Sequence, residues 1–373
     1  MFPWFLHSWP HWRVRHNLAP FWLPFAPSPA DIREWNVEIA PPAIALANPL
    51  PPNGTLRVSL HRLLIEAGIA LTLATSSWDP RSWFALYRYA ADFAGTTPNL
   101  RFYSGVSEKD PRLTAVASEE IATGVTCYVL REHFQLTHIA DAYACIQRGE
   151  LTYVDPNSES RPDYFCQDAS LQAVIAESKG ASGTRSKVSG RIDPEGWAQV
   201  ENVAPVNLQL RASCGRVVIG THLCTEGIHE RSESTTIIKD PSGDSGQQQN
   251  PESDEVLRLA YAKSLRFMAQ DAISERLLFR RGFEDMFSGL ESASLPRVAG
   301  TPILPLGITP FGDAIGIYGP TAKALFAPGS SSLSAAVNDS LAQISRQRLE
   351  LDGAGYVLPN GVMVVHDPDQ LIQ

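Results

Sequence analysis

The chain has 373 residues, long enough for one large domain or two to three modest ones with a sizeable buried core. Its 44% hydrophobic content and mixed charges describe an ordinary globular protein. A formal net charge of −9 excludes a chain that coats nucleic acid through bulk positive charge, though not one whose basic residues line a single groove. The basic set is lopsided, 25 Arg against 6 Lys, so a single lysine is informative. Cys127, Cys145, Cys166, Cys214 and Cys224 are widely spaced with no CxxC pair, which supports neither a disulfide framework nor a four-cysteine zinc site and suits a reducing, cytoplasmic setting.

The first 26 residues form a Trp- and Pro-rich arm, broken by His11, Arg13, Arg15 and His16 before an apolar run develops. It has neither the basic start nor the h-region of a signal peptide, and no stretch approaches the roughly 18 uninterrupted apolar residues of a membrane span. The arm is expected to pack on the body, on a second copy or on a protein partner. Residues 27–111 begin with a dense set of prolines, which exclude interior helix and central strand, and continue as α/β structure. LRVSLHRLLIEAGIALTLAT alternates and then turns uniformly apolar, leaving a strand with a short helix, or two strands, open.

From Arg112 the apolar residues Val116, Ile121, Val125, Tyr128, Val129 and Phe134 recur at helical steps, predicting a helix over about 113–134. IADAYACIQ reads equally as helix or strand. ELTYVD, PDYFCQD and LQAVIAE are short, rich in β-branched or aromatic residues, and separated by turn residues, which predicts a strand meander. A glycine- and serine-rich loop is expected over 180–189. Pro194 opens a second predicted helix, and RVVIGTHL reads as a buried strand. Together these place a core over 112–239 in the order helix, three strands, helix, strand. A polar linker follows at 240–252, and 253–373 forms a C-terminal region. That region starts with a long helix over 253–284, whose basic face is taken as solvated, and ends in a hairpin turning at Asn360-Gly361.

The chemistry concentrates in one place. Asp163 opens one predicted strand, and Glu177-Ser178-Lys179 ends the next. Cutting a phosphodiester calls for a divalent cation that neutralises phosphate charge and acidifies a water, and Mg²⁺ takes hard oxygen ligands. Adjacent strands would bring the two carboxylates together, with the Ser178 carbonyl as a third oxygen. Strand alternation puts Lys179 on the face of Glu177, where its ammonium can steady charge on the phosphate.

Pro162-Asp163, thirteen residues, then Glu177-x-Lys179 resembles the signature of the PD-(D/E)XK nuclease superfamily, and the element order over about 112–224 is similar to its αβββαβ core. The resemblance implies an α/β, restriction-endonuclease-like fold with a mixed sheet, flanked by N- and C-terminal α+β extensions. It implies Asp163, Glu177 and Ser178 as ligands of Mg²⁺ (or Mn²⁺), and Lys179 as the catalytic lysine. The substrate implied is DNA, cut in a bacterial restriction or phage-defence role. Many members add a glutamate from the first helix, to which Glu120 corresponds in preference to Glu119. Some carry a glutamine and a tyrosine one turn apart on the second helix. Gln199 is present, but Val203 stands in the tyrosine's place, a departure from the RecB-like branch. An inactive family member that binds nucleic acid or protein is the alternative.

Arg185, Lys187 and Arg191, in the expected loop after Lys179, read equally as a grip on phosphate backbone or as an ordinary solvated loop. Gly243-Asp244-Ser245-Gly246 mimics a serine-protease nucleophile turn, but it lies in the polar linker, where no scaffold holds an oxyanion hole. His222, Cys224 and His229 lack tetrahedral zinc-site spacing and read as core residues.

Overall fold

A computed structural model describes residues 31–40, 50, 54–76, 83, 89–90, 92–93, 98–108, 110–168, 172–182, 185–226, 233–240, 254–283, 286–287, 289–290, 294–309, 312–326, 332–347, 351, 353–366 and 371. The arm over 1–26, the linker apart from Asp240, the Gly243–Gly246 tetrapeptide and His229 lie outside the described residues. Ser28–Arg281 forms one compact unit, and the described residues from Gly282 onward form a second.

Among the described residues, the strands of the first unit are β1 (Ile32–Ala40), β2 (Thr55–Ser59), β3 (Arg101–Phe102), β4 (His138–Asp141), β5 (Leu151–Tyr153), β6 (Tyr164–Gln167), β7 (Ala173–Ser182), β8 (Val203–Pro205), β9 (Gly215–Thr225) and β10 (Thr235–Lys239). Its helices are α1 (Leu60–Leu71), α2 (Pro111–Glu132), α3 (Ala142–Gln147), α4 (Arg185–Arg191), α5 (Trp197–Glu201), α6 (Leu208–Ser213), α7 (Asp254–Phe267) and α8 (Asp271–Leu278). The main sheet runs β2-β1-β10-β9-β7-β6-β4, with β3 beside β9. It is mixed: β7 with β9 and β1 with β10 are parallel, while β6 pairs antiparallel with both β4 and β7.

Two glycines show how closely helices cover both faces of this sheet. A Cβ at Gly180 in β7 would lie 2.4 Å from the Ser118 carbonyl oxygen and 2.5 Å from the Glu119 Cα, so the backbone of α2 rests on the strand there. On the other face, a Cβ at Gly220 in β9 would lie 2.5 Å from Ile192 Cδ1, in the helical segment that follows α4. At Gly180, where the neighbour is backbone, only glycine leaves room; at Gly220 the Ile192 side chain would have to give way. The start of α2 is set locally: Pro111 occupies the first turn, and the Asp110 carboxylate accepts from the Arg112 N–H at 2.7 Å.

The structure redraws several sequence expectations. IADAYACIQ divides into β4 and α3. ELTYVD yields only β5, which pairs with β8 in a separate two-stranded ribbon. The three main-sheet strands after α2 are therefore β4, β6 and β7. The first is illegible in the sequence because His138, Ile139 and Ala140 are all buried, so the strand shows no alternation. The expected loop after Lys179 is instead the end of β7, through Ser182, and then α4 from Arg185. Pro194 does not open a helix. It sits inside a π-helical turn, Ile192–Gly196, an interruption of regular α-helix of the kind a residue without an N–H imposes.

The core boundaries also move. The sheet reaches back to β1 and β2, because β10 finds its parallel partner in β1. The expected 253–284 helix is two helices, α7 and α8, both in the first unit. Only part of its charge is a solvated face: Glu275, Arg280 and Arg281 are exposed, but Glu255, Lys263 and Arg266 are buried. Lys263 pairs with Asp141, and Arg266 donates to the Ala74 carbonyl at 2.8 Å and to Asp271 at 2.9 Å. Pairing is what makes such burial tolerable.

α7 ends in a Schellman turn, with the Gln270 N–H donating to the Leu265 carbonyl at 2.8 Å and Ala269 in the left-handed region at φ 59. A side chain is strained there and glycine is not. Ala269→Gly is therefore expected to stabilise the first unit by up to about 1 kcal/mol, read as a higher urea midpoint. A lower midpoint would contradict this account of the break.

The second unit carries β11 (Arg297–Val298), β12 (Thr301–Ile308), β13 (Ala314–Tyr318), β14 (Gly355–Val357) and β15 (Val362–Val365), in an antiparallel sheet ordered β11-β12-β13-β15-β14. Its helices are α9 (Gly319–Phe326) and α10 (Leu333–Gln347). The β14–β15 hairpin turns over residues 359–361 and not through the expected two-residue Asn-Gly turn: the Gly361 N–H donates to the Leu358 carbonyl at 2.8 Å, which makes Pro359 and Asn360 the central pair, and Gly361 at φ 79 closes a three-residue loop. Phe287 stacks on Phe326 at 4.6 Å between centroids, and Phe283 meets the same ring edge-on at 5.1 Å. No helix among the described residues is long and apolar enough to cross a membrane.

Candidate active site

β6 and β7 pair only from Tyr164↔Ala176 to Gln167↔Ala173, whereas β7 continues along β9 as far as Ser182↔Leu223. Beyond Ala176 the β6-facing edge of β7 is therefore open to other groups. Asp163, immediately before β6, fills that position: its Oδ2 accepts the Ser178 N–H at 3.0 Å, and its own N–H donates to Glu177 Oε2 at 2.9 Å. Its carbonyl accepts the Ala142 N–H at 2.9 Å, which ties the residue to the first turn of α3. Two strands that part company thus remain joined by a reciprocal clasp between carboxylates and main chain.

Alternation sorts the neighbours. Glu177 and Lys179 pair in parallel register with Val218 and Gly220 and share their face, the one covered by α4, the π turn and α5. Ser178 points the opposite way, its Oγ accepting from Thr126 Oγ1 of α2 at 3.0 Å. Lys179 Nζ donates to Glu177 Oε1 at 2.6 Å and also to Gln199 Oε1 on α5. Gln199 Nε2 in turn donates to the Arg161 carbonyl at 2.9 Å. One turn further along, Asn202 Nδ2 donates to the Ser160 carbonyl at 2.6 Å. Gln199 and Asn202 therefore hold both the lysine and the segment leading into Asp163.

The cluster is desolvated, with Glu177 2% and Lys179 8% exposed. Burial first, and then the neighbouring Asp163 carboxylate, push the Glu177 carboxyl up to about 8, against the opposing pull of Lys179. Asp163 is also raised by burial, opposed by the Ser178 N–H, Lys179 and Lys263. As a residue Asp163 is exposed, but its carboxylate is crowded from the side of β7, and that side sets its protonation. Two carboxyl groups with too little compensating positive charge share this spot.

The other expected site residues are placed differently. Glu120 accepts from the Tyr89 hydroxyl and lies on α2, across the sheet from Glu177 and Lys179. Its neighbour Glu119 pairs with Arg191 at 2.9 Å, and Arg191 also donates to the Gly180 carbonyl at 2.7 Å and pairs with Glu195 at 3.2 Å. Arg185 pairs with Glu38, and Lys187 is exposed. All three basic residues stand on α4 and not on a loop. Val203 opens β8 and is fully buried. His222 Nε2 and Cys224 Sγ are 3.4 Å apart in the buried sheet.

Sequence reasoning missed Lys263 and its partner Asp141, which sit behind Asp163, with the ammonium 5.1 Å from the Tyr164 ring centroid. A signal was present: Lys263 interrupts the apolar stripe of Val256, Leu259 and Phe267 at helical spacing, and a cation in such a stripe needs a buried partner. No family model, curated protein or solved structure matches this chain.

Proposed function

We propose that this cluster is the active site of a metal-dependent phosphodiesterase of the PD-(D/E)XK kind, built on a restriction-endonuclease-like core of α2, β4, β6, β7, the α4–α5 segment and β9. The observation that carries the reading is the clasp itself: Asp163 and Glu177 meet where β6 and β7 separate, and Lys179 stands within 2.6 Å of Glu177 on the same face. The donor set fits a hard divalent cation such as Mg²⁺ or Mn²⁺: two carboxylates held together against their mutual repulsion, both with raised proton affinity. In an extended chain the N–H and C=O of one residue point to the same side, so the Ser178 carbonyl faces Asp163 and completes the oxygen set. Once bound, such an ion supplies charge neutralisation and an acidified water.

The chain's own groups do the rest. Asp163 and Glu177 hold the ion, Lys179 presents positive charge toward the phosphate, and Gln199 keeps the Lys179 ammonium from swinging away. DNA as substrate, a bacterial defence role and a cytoplasmic location belong to the same proposal.

The protonation of Glu177 has a measurable consequence. With its carboxyl near 8, Glu177 is mostly protonated at pH 7, so taking up Mn²⁺ is expected to release close to one proton and to strengthen roughly tenfold per pH unit between about 6 and 8. Calorimetric titration in buffers of different ionisation enthalpy reads that proton directly. Affinity independent of pH over this interval would contradict it.

The reading is tested by incubating the protein with plasmid DNA and with RNA, with Mg²⁺, Mn²⁺ or EDTA, beside Lys179→Ala. Metal-dependent cutting by the wild type alone supports it. Equal cutting by the variant, or none under any condition, overturns it.

A further inference from the structure

Beside the carboxylates stands an exposed aromatic ring. Tyr143 lies in the first turn of α3, where Ala142, Ala144 and Cys145 are buried, yet it is 47% exposed. The Arg161 guanidinium lies over its ring at 4.6 Å from the centroid. Both residues are close to Asp163 along the chain's hydrogen bonds: Ala142, next to Tyr143, donates to the Asp163 carbonyl, and Arg161 is two positions before Asp163. The main chain at Arg161 is firmly held. The Arg161 carbonyl is fixed by Gln199, the side chain that also receives Lys179, and the Ser160 carbonyl is fixed by Asn202.

Resting on the nuclease reading, we propose that Tyr143 and Arg161 form a stacking platform for an unpaired base next to the scissile phosphate, so that the strand enters this site single-stranded. Bases present π-faces to tyrosine and arginine whatever the sequence, and a stacked base is worth roughly 5–150-fold in affinity. The long phosphate tracking that holds a duplex has less to draw on. The net charge is −9, and the arginines of α4 are committed to Glu38, Glu119 and Glu195. A base inside a duplex keeps both faces stacked on its neighbours and offers none to the Tyr143 ring.

The test uses the full chain with Ca²⁺ in place of Mg²⁺, and fluorescent oligonucleotides of about 16 nucleotides: oligothymidine, oligouridine and a mixed-sequence duplex. Anisotropy titrations are run on the wild type, Tyr143→Ala and Tyr143→Trp. Expected is at least tenfold tighter binding of a single strand than of the duplex, a loss of about 5–150-fold for Tyr143→Ala on the single strand alone, and recovery in Tyr143→Trp. The two single-strand arms separate DNA from RNA. Duplex bound as tightly as single strand, or Tyr143→Ala indistinguishable from wild type, overturns the platform. Lys179-dependent cutting that survives Tyr143→Ala unchanged sinks the platform and leaves the nuclease reading intact. Tyr143-dependent binding with no cutting under any metal sinks the nuclease reading and leaves the platform.

Discussion

Lys179→Ala is expected to lower the turnover number by about 10²–10⁴-fold while KM for the nucleic acid changes only severalfold. The reason is geometric. Lys179 is 8% exposed and held by Glu177 and Gln199, so its ammonium is an already positioned charge, oriented before the substrate arrives. Gln199→Ala leaves the lysine its Glu177 partner and removes only the second restraint, so its loss is expected to be smaller, about 10-fold. Asp163→Asn removes the negative charge of the proposed ligand while its amide oxygen can still accept the Ser178 N–H, and is expected to abolish Mn²⁺ uptake as well as turnover with little change in fold. Single-turnover cleavage of one defined substrate by the three variants orders them. Gln199→Ala proving more damaging than Lys179→Ala would contradict this division of roles.

The largest stability effect is expected at Glu66 and Arg131, an ion pair between α1 and α2 whose side chains are 0% and 3% exposed. Arg131→Leu alone strands a buried carboxylate and is expected to cost about 3–5 kcal/mol. Glu66→Leu combined with Arg131→Leu is expected to recover most of that loss, since well-packed apolar groups replace buried pairs at little cost. Burial, with the nearby Arg62 charge, already brings the Arg131 guanidinium down to about 10. The helices are close enough that a Cβ on Gly124 of α2 would lie 2.8 Å from the Ala67 Cβ of α1, so tilting α2 to relieve the stranded charge is resisted. Urea denaturation of the single and double variants measures the difference. A loss below about 1 kcal/mol for Arg131→Leu would show that water reaches the pair.

What the sequence discloses follows from range. Glu177 and Lys179 share a face because alternation is a local rule, and the start of α2 is encoded by Asp110 and Pro111. Asn360 and Gly361 mark the place of the β14–β15 hairpin, although its loop is one residue longer than a two-residue Asn-Gly turn. Convergence of Asp163, Glu177, Lys179 and Gln199 is legible because a hairpin and the next helix bring them together within forty residues. The parts that escape depend on distant segments. β4 is hidden by burial on both faces, β1 joins β10 across most of the unit, and Lys263 reaches Asp141 from a helix that reads as solvated. Nothing local decides between Glu120 and Glu119. The structure pairs neither carboxylate with Lys179: Glu120 is bound to Tyr89, and Glu119, whose backbone packs on β7 at Gly180, gives its carboxylate to Arg191.

The parting of β6 from β7 after Ala176 sets how this protein can tolerate change. Because faces alternate, deleting a single residue of β7 ahead of Glu177 would turn Glu177 and Lys179 toward α2, and Ser178 toward α5. The chemistry is thus written in parity as much as in identity. Lineages carrying this fold can be expected to vary freely in loop length while keeping the number of residues from Ala173 to Lys179 fixed.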